Sequence, residues 1–475
     1  MRIAKYKLLL CLLLLAGLVW SFLQYFHMPL DGDMAGIILP GPHYSRVLND
    51  PFGLSALLHG ERYSAPNRFF AHGFMAAYFK TVPAGLQQFA SPIDSVYLAC
   101  ALLKTGVHLL IGWMLAAFIS GSARPLQPGF LLAAMLVFPF FQNTAYQGTM
   151  GIIDPSVTYT CFYALPMAVL LLFFRPFQRA LQAEGRLDMP LWQKILWAVL
   201  AVALAFSGPV VLPAVLLASA LVAVYFWKKT AGTALGNRVA QTIRQIPVTW
   251  KFYLVFFSLL CLYSLYIGTF NAENNNSVDL AERYARLPEG LFNQFSMRLG
   301  LPLLLLGVLA NAVLLKKQSG NPEAVRTLHM LQWLAVFSLI YIFLLPLGGF
   351  REYRPDIVRR DTILPVLLCL VYGFGLSTYL LLGQFQGTFK IAYRVAVVLF
   401  LAIFVNANLS LPDQNRCERA ALEKIARSPE KIVRLNDGCT VLAWVKISNY
   451  RDSDLQGQLL LLWGVTGERR YYFQE

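Results

Sequence analysis

Residues 1–7 read MRIAKYK and residues 8–26 read LLLCLLLLAGLVWSFLQYF, and after His27-Met28-Pro29-Leu30 comes Asp31-Gly32-Asp33. Three basic residues ahead of a long uncharged run have the layout of a signal peptide, yet the small-x-small pattern of a cleavage site is missing. The stretch therefore reads as an uncleaved first transmembrane helix with a cytoplasmic N-terminus, and it delivers two carboxylates to the far side. Gly32 lets the turn bend sharply enough for both to converge on one group.

The whole chain agrees with that start. It has 475 residues, 57% hydrophobic and only 14% charged, where a soluble domain has about a quarter of its residues charged. The expectation is an all-α polytopic membrane protein. A formal charge of +15 raises nucleic-acid binding, but the basic residues punctuate the apolar runs instead of forming one stripe, so that function is excluded.

Further spans are expected near 96–119, 129–146, 156–174, 252–270, 299–315, 328–347, 362–383 and 391–409. The apolar run 191–227 is too long for one crossing, and Ser207-Gly208-Pro209 divides it in two. Charge settles that division. The arginines at 175, 179 and 186 precede it, and Lys228, Lys229, Arg238, Arg244 and Lys251 follow it, so both flanks belong inside. The expected total is about eleven transmembrane helices, N-terminus in and C-terminus out, in a domain spanning 1–409.

A long first outer loop covers 27–95, and residues 67–89 within it carry an amphipathic pattern suited to a helix lying in the membrane interface. His27, His43, His59 and His72 share this loop without zinc-site spacing. A second polar outer loop, expected to be mobile, contains Glu273, Asn274, Asn275, Asn276, Asp279 and Glu282. The tail 410–475 is expected to be a small α/β cap, helical at 417–427 and extended at 440–447 and 459–465. Cys417 and Cys439 lie in it, and an oxidising compartment would let them pair as a disulfide.

Four features carry possible chemistry. Asp31 and Asp33 could supply a general base, or hold a divalent cation such as Mg or Mn; the bland alternative is a solvated turn. Arg351, Arg354, Arg359 and Arg360 fill a short outer loop, against the usual charge bias. Their guanidinium forks match phosphate oxygens, while pairing with Glu352, Asp356 and Asp361 inside the loop is the competing reading. Lys104 stands within the second span, one turn before His108, and either faces the bundle interior or snorkels to the outer surface. Asp154, ahead of Pro155, is either a third site carboxylate or a helix cap.

With these features placed, the chain resembles the GT-C superfamily of membrane glycosyltransferases. The likeness lies in the span number, the large first outer loop with interfacial helices, and an acidic motif soon after the first helix, here Asp31-Gly32-Asp33. It implies a polyprenyl-phosphate-linked sugar as donor, an envelope glycan or glycolipid as acceptor, and a bacterial inner membrane as the setting. Asp31 or Asp33 would act as base, with Lys104, Asp154 and the four arginines binding substrate. A transporter or flippase of a lipid-linked or anionic solute, and a scaffold in envelope assembly, are the alternatives.

Overall fold

The computed structural model describes residues 2–141, 150–182, 189–230, 235–274, 278–296, 299–352, 354–407 and 413–475. Arg186, Asn275 and Asn276 lie outside them, as do residues 142–146 of the span expected at 129–146. The regular structure is almost entirely helical, because long leucine-, alanine- and phenylalanine-rich runs satisfy their backbone internally only as helices. The described strands are Ile432–Leu435 and Tyr471–Gln474, four residues each and paired in parallel.

Eight described helices are long and apolar enough to cross a membrane, the first being Lys5–Phe26 and the second Pro92–Ser120. The other expected spans fall on shorter or bent pieces. Pro128–Phe140 and Leu191–Ala205 are apolar but short, and Gly300–Lys316 meets Leu280–Ser296 at a bend of 88°. Counting that bent pair as one span gives nine crossings by length and composition. The outward faces carry exposed leucines, among them Leu8, Leu9, Leu12, Leu13 and Leu15 on the first helix. An apolar surface of that extent belongs in lipid.

Between the first two long helices the loop folds into four helices, Met34–Ile38, Pro42–Asn49, Leu54–His59 and Phe69–Leu86. The last is the helix expected within 67–89, but the face it buries is not the stripe of Phe70, Phe74, Ala77 and Tyr78 that the spacing suggested. It buries Ala71, Met75, Phe79 and Pro83 at four-residue steps, with His72 and Ala76 beside them, while Phe74 stays exposed. The helix Pro92–Ser120 then starts with Pro92 in its first turn and the Ser91 hydroxyl accepting from the Asp94 N–H at 3.1 Å, and it stops at Gly121, whose φ of 72° suits a residue without Cβ.

The tail corrects two expectations. Residues 440–447 form no strand; the segment is irregular, with Leu442 at a φ of 46°. Residues 459–465 are not extended either, since Asp454–Leu462 is a helix. Its buried residues Gly457, Leu459 and Leu460 and the following Trp463 recur at helical, not alternating, intervals, and the apolar run taken alone hides this. The helix Arg416–Arg427 stands where it was expected, and Cys417 is bridged to Cys439 with a Cα–Cα separation of 6.1 Å.

The tail docks through polar atoms on the loop side of the bundle. The Asn415 side chain donates to the Phe26 carbonyl at 2.8 Å and its backbone N–H to His27 O at 3.1 Å, satisfying carbonyls that the first helix leaves unpaired at its end. The Trp463 indole donates to Phe79 O at 3.0 Å, joining the tail to the helix Phe69–Leu86. Glu418 is the buried centre of the dock. Its carboxylate accepts from Leu30 N at 2.8 Å, the Tyr97 hydroxyl at 2.8 Å and Leu442 N at 3.0 Å.

Burial pushes the Glu418 carboxyl up to about 7, against the pull of those donors and with the Asp31 charge adding to the rise. A carboxyl whose folded pKa lies above its unfolded value stabilises fully below the unfolded value, and the contribution is lost as pH rises through the folded one. Tail docking is therefore strongest below the ordinary glutamate range and weakens as pH passes about 7. Hydrogen exchange of the Leu30 and Leu442 amides is expected to accelerate across that interval, and Glu418→Gln to flatten the dependence.

Candidate functional site

The site is built around a turn that no periodicity announces. Asp154-Pro155-Ser156 precedes the helical turn Val157–Tyr159, which continues through a π-helical stretch, Thr160–Ala164, into the helix Leu165–Gln182. The Asp154 carboxylate accepts from Ser156 N at 2.8 Å, a local turn typical of aspartate, and the Ser156 hydroxyl caps the helix by accepting from Tyr159 N at 3.3 Å. Ser156, not Asp154, is thus the helix cap.

Asp31 docks on this turn. One carboxylate oxygen accepts from the Ser156 hydroxyl at 2.8 Å and from Thr158 N at 3.0 Å; the other accepts from the Thr158 hydroxyl at 2.8 Å and from Asp33 N at 3.1 Å. Hydrogen bonds to a charged group contribute about 1.5–3 kcal/mol each. Asp31 is 4% exposed and has both oxygens engaged, so it positions the turn and is poorly placed to take a proton from substrate.

Asp33 differs. One oxygen accepts from the Trp444 indole N–H at 2.9 Å, and among the described residues the other accepts no hydrogen bond. Burial is the main cause that holds the Asp33 carboxyl above the usual range, with the Asp31 charge adding to it; the Trp444 bond and Arg354 pull the other way. The two carboxylates thus differ in engagement, Asp31 with both oxygens bonded and Asp33 with one. A metal shared by them does not fit this donor set, because Asp31 is saturated, and no group of three or more His, Cys, Asp or Glu among the described residues could hold one.

The arginine loop pairs mostly outside itself. Arg351 meets Glu273 at 2.7 Å, and Glu273 also accepts from the Tyr44 hydroxyl at 3.0 Å. Glu273 is thereby anchored, in a loop expected to be mobile. Arg360 meets the buried Asp154 at 2.7 Å. Arg354 donates to the Tyr159 hydroxyl and stacks over that ring, 4.8 Å from its centroid. Arg359 pairs within the loop, to Asp361 at 3.1 Å, and it also donates to Asp356 O at 2.7 Å. Burial would raise the Asp361 carboxyl, but Arg359 outweighs it and holds it below the usual range. For Asp154 burial prevails over Arg360, and the carboxyl lies above its usual range.

Lys104 does not snorkel. It is 1% exposed, and its ammonium donates to the Pro155 carbonyl and lies 3.5 Å from Met28 Sδ. It braces the 154–158 turn from within the bundle and presents no charge to a phosphate outside; a buried cation there is held by the carbonyl dipole and the nearby carboxylates. Two residues that the sequence did not single out complete the site. Tyr159 and Trp444 lie 6.1 Å apart with their rings inclined by 27°. Trp444 sits in an irregular segment, 411 positions from the aspartate that it contacts, a separation that no local pattern bridges.

No family model matches this chain, and no curated protein matches it in sequence.

Gly32 is fixed by close approach. A Cβ there would lie 2.7 Å from Trp444 Cδ1 and 2.8 Å from the Ala443 carbonyl carbon. Backbone on one side cannot give way as a flexible side chain would, so Gly32→Ala is expected to lift the 443–444 segment and destabilise the protein by about 1–3 kcal/mol, the usual range for overpacking. A lower thermal midpoint in detergent, with faster proteolysis of the tail, is the expected readout; Gly17→Ala, where a Cβ meets nothing within 4 Å, is the control.

Proposed function

We propose that this protein is a membrane glycosyltransferase of the GT-C kind, moving a sugar from a polyprenyl-phosphate donor to an envelope glycan or glycolipid. In this reading the chain crosses the bacterial inner membrane eleven times, N-terminus inside. The loop 27–95, the arginine loop and the tail 410–475 then share the outer face. The observation that carries the reading is the asymmetry of the two aspartates: Asp31 fully hydrogen-bonded, Asp33 with one oxygen held by Trp444 and the other open.

Asp33 is the base. Its open oxygen takes the proton of the acceptor hydroxyl as the acceptor oxygen bonds to the anomeric carbon and the bond from that carbon to the phosphate oxygen breaks. The bonding electrons leave with the polyprenyl phosphate, and attack from the opposite face inverts the anomeric centre. A base whose pKa is raised by burial accepts the proton more readily, and general-base help of this kind contributes about 10²–10⁴-fold. Arg354, which stacks on Tyr159 and whose charge acts on Asp33, is the guanidinium that would meet the leaving phosphate. Arg351, Arg359 and Arg360 pair with Glu273, Asp361 and Asp154 and hold the loop in place.

The test is glycan and glycolipid mass spectrometry of a deletion strain complemented with wild type, Asp33→Asn and Asp31→Asn, at matched membrane levels. One sugar is expected to be missing in the deletion and restored by wild type. Asp33→Asn is expected to leave less than about a hundredth of the product with the tail still docked, whereas Asp31→Asn loses product together with tail protection. A normal profile with Asp33→Asn overturns the base assignment and favours transport of a lipid-linked solute.

A further inference from the structure

We propose that the exposed face of the Trp444 indole is the acceptor platform, which stacks on the sugar ring presenting its hydroxyl to Asp33, so that the acceptor is a glycan and not a lipid alcohol. This inference rests on the glycosyltransferase reading of the same site.

Three observations point to it. Trp444 is 52% exposed although its N–H is satisfied, and an exposed indole with a bonded N–H is an apolar plate with one edge fixed. Tyr159 lies alongside it at a shallow angle and Arg354 stacks on Tyr159, so the contacts run in order from guanidinium through phenol and indole to carboxylate. That order puts the cation for a phosphate at one end and the base at the other, with the indole next to the base. Finally, the plate is held from behind at considerable expense in structure. Gly32 lies against its backbone, Glu418 binds Leu442 two residues earlier, and the Cys417–Cys439 bridge closes the segment's start.

The chemistry of a sugar fits such a plate. A pyranose offers a face of C–H groups carrying slight positive charge, which the negative face of an aromatic ring attracts, and its hydroxyls project from the rim. A ring lying on Trp444 therefore directs rim hydroxyls toward the carboxylate that the indole edge holds at 2.9 Å. An alkyl alcohol would gain only apolar contact from the plate and no orientation of its hydroxyl.

The experiment uses the full-length protein in the complemented deletion strain, with Trp444→Phe, Trp444→Leu and Trp444→Met beside Asp33→Asn. Membrane level and the Cys417–Cys439 bridge are checked on a non-reducing gel. Phenylalanine keeps the aromatic face and loses the N–H, so it is expected to keep about half or more of the sugar transfer. Leucine and methionine keep apolar bulk without the face and are expected to lower transfer about tenfold with the bridge intact, as for a lost interaction of about 1.4 kcal/mol. If leucine or methionine supports wild-type transfer while Asp33→Asn does not, the platform is wrong and the enzyme reading stands. Equal defects in all three Trp444 variants also overturn the platform, because the N–H bond to Asp33 then matters and the face does not. A deletion strain with unchanged glycans overturns both the platform and the reading beneath it.

Discussion

The carboxylate of Asp31, held by the hydroxyls of Ser156 and Thr158 and by two backbone N–H groups, is the centre on which the loop side of the molecule depends. A buried carboxylate left without such donors is strongly unfavourable, and the cost is met here by bringing a distant turn to it. That turn carries Asp154, itself buried, which requires Arg360; Arg360 draws in the arginine loop, where Arg351 reaches Glu273 and Glu273 accepts from Tyr44. Each buried charge recruits the segment that compensates it. Four stretches far apart in the chain are joined in this way without a shared sheet or a covalent link.

The same logic explains why Asp33 is placed as it is. A carboxylate two residues from a saturated neighbour sits on a rigid turn, and it need not be saturated itself. Its one donor among the described residues is an indole, which orients without supplying a charge that would pin the carboxylate as an ion.

The helices were legible in the sequence because lipid solvent enforces length and apolarity, and both are visible residue by residue. Eight of the expected spans coincide with described helices long and apolar enough to cross, while Pro128–Phe140 and Leu191–Ala205 are apolar but short and Gly300–Lys316 belongs to a bent pair. Phe69–Leu86 was legible as a helix, but the face that it buries was not. The tail was not. Its short apolar runs fit a strand and a helix equally well, and the helix at 454–462 is fixed by packing against Met34–Ile38 and Tyr471–Gln474, the first of them far away in the chain. In the site, composition marked the charged residues and hid their neutral partners. Ser156, Thr158, Tyr159 and Trp444 have no unusual frequency or spacing; their roles arise only when the turn and the tail reach the Asp-Gly-Asp corner. Lys104 shows the converse, a charge whose presence was plain but whose partner, a backbone carbonyl, has no signature in a sequence.

The distance along the chain between Asp33 and Trp444 also sets an order of events in the cell. Asp33 leaves the ribosome early, and Trp444 follows only after 411 more residues have been made. Until then the corner at Gly32 is uncovered and Glu418 has no Leu442 to bind. A nascent chain that has already inserted its apolar helices thus still lacks one wall of the carboxylate site. Because domains and segments fold as they emerge, the segment that covers Asp33 arrives only after most of the apolar helices have been made, and the carboxylate corner is closed late.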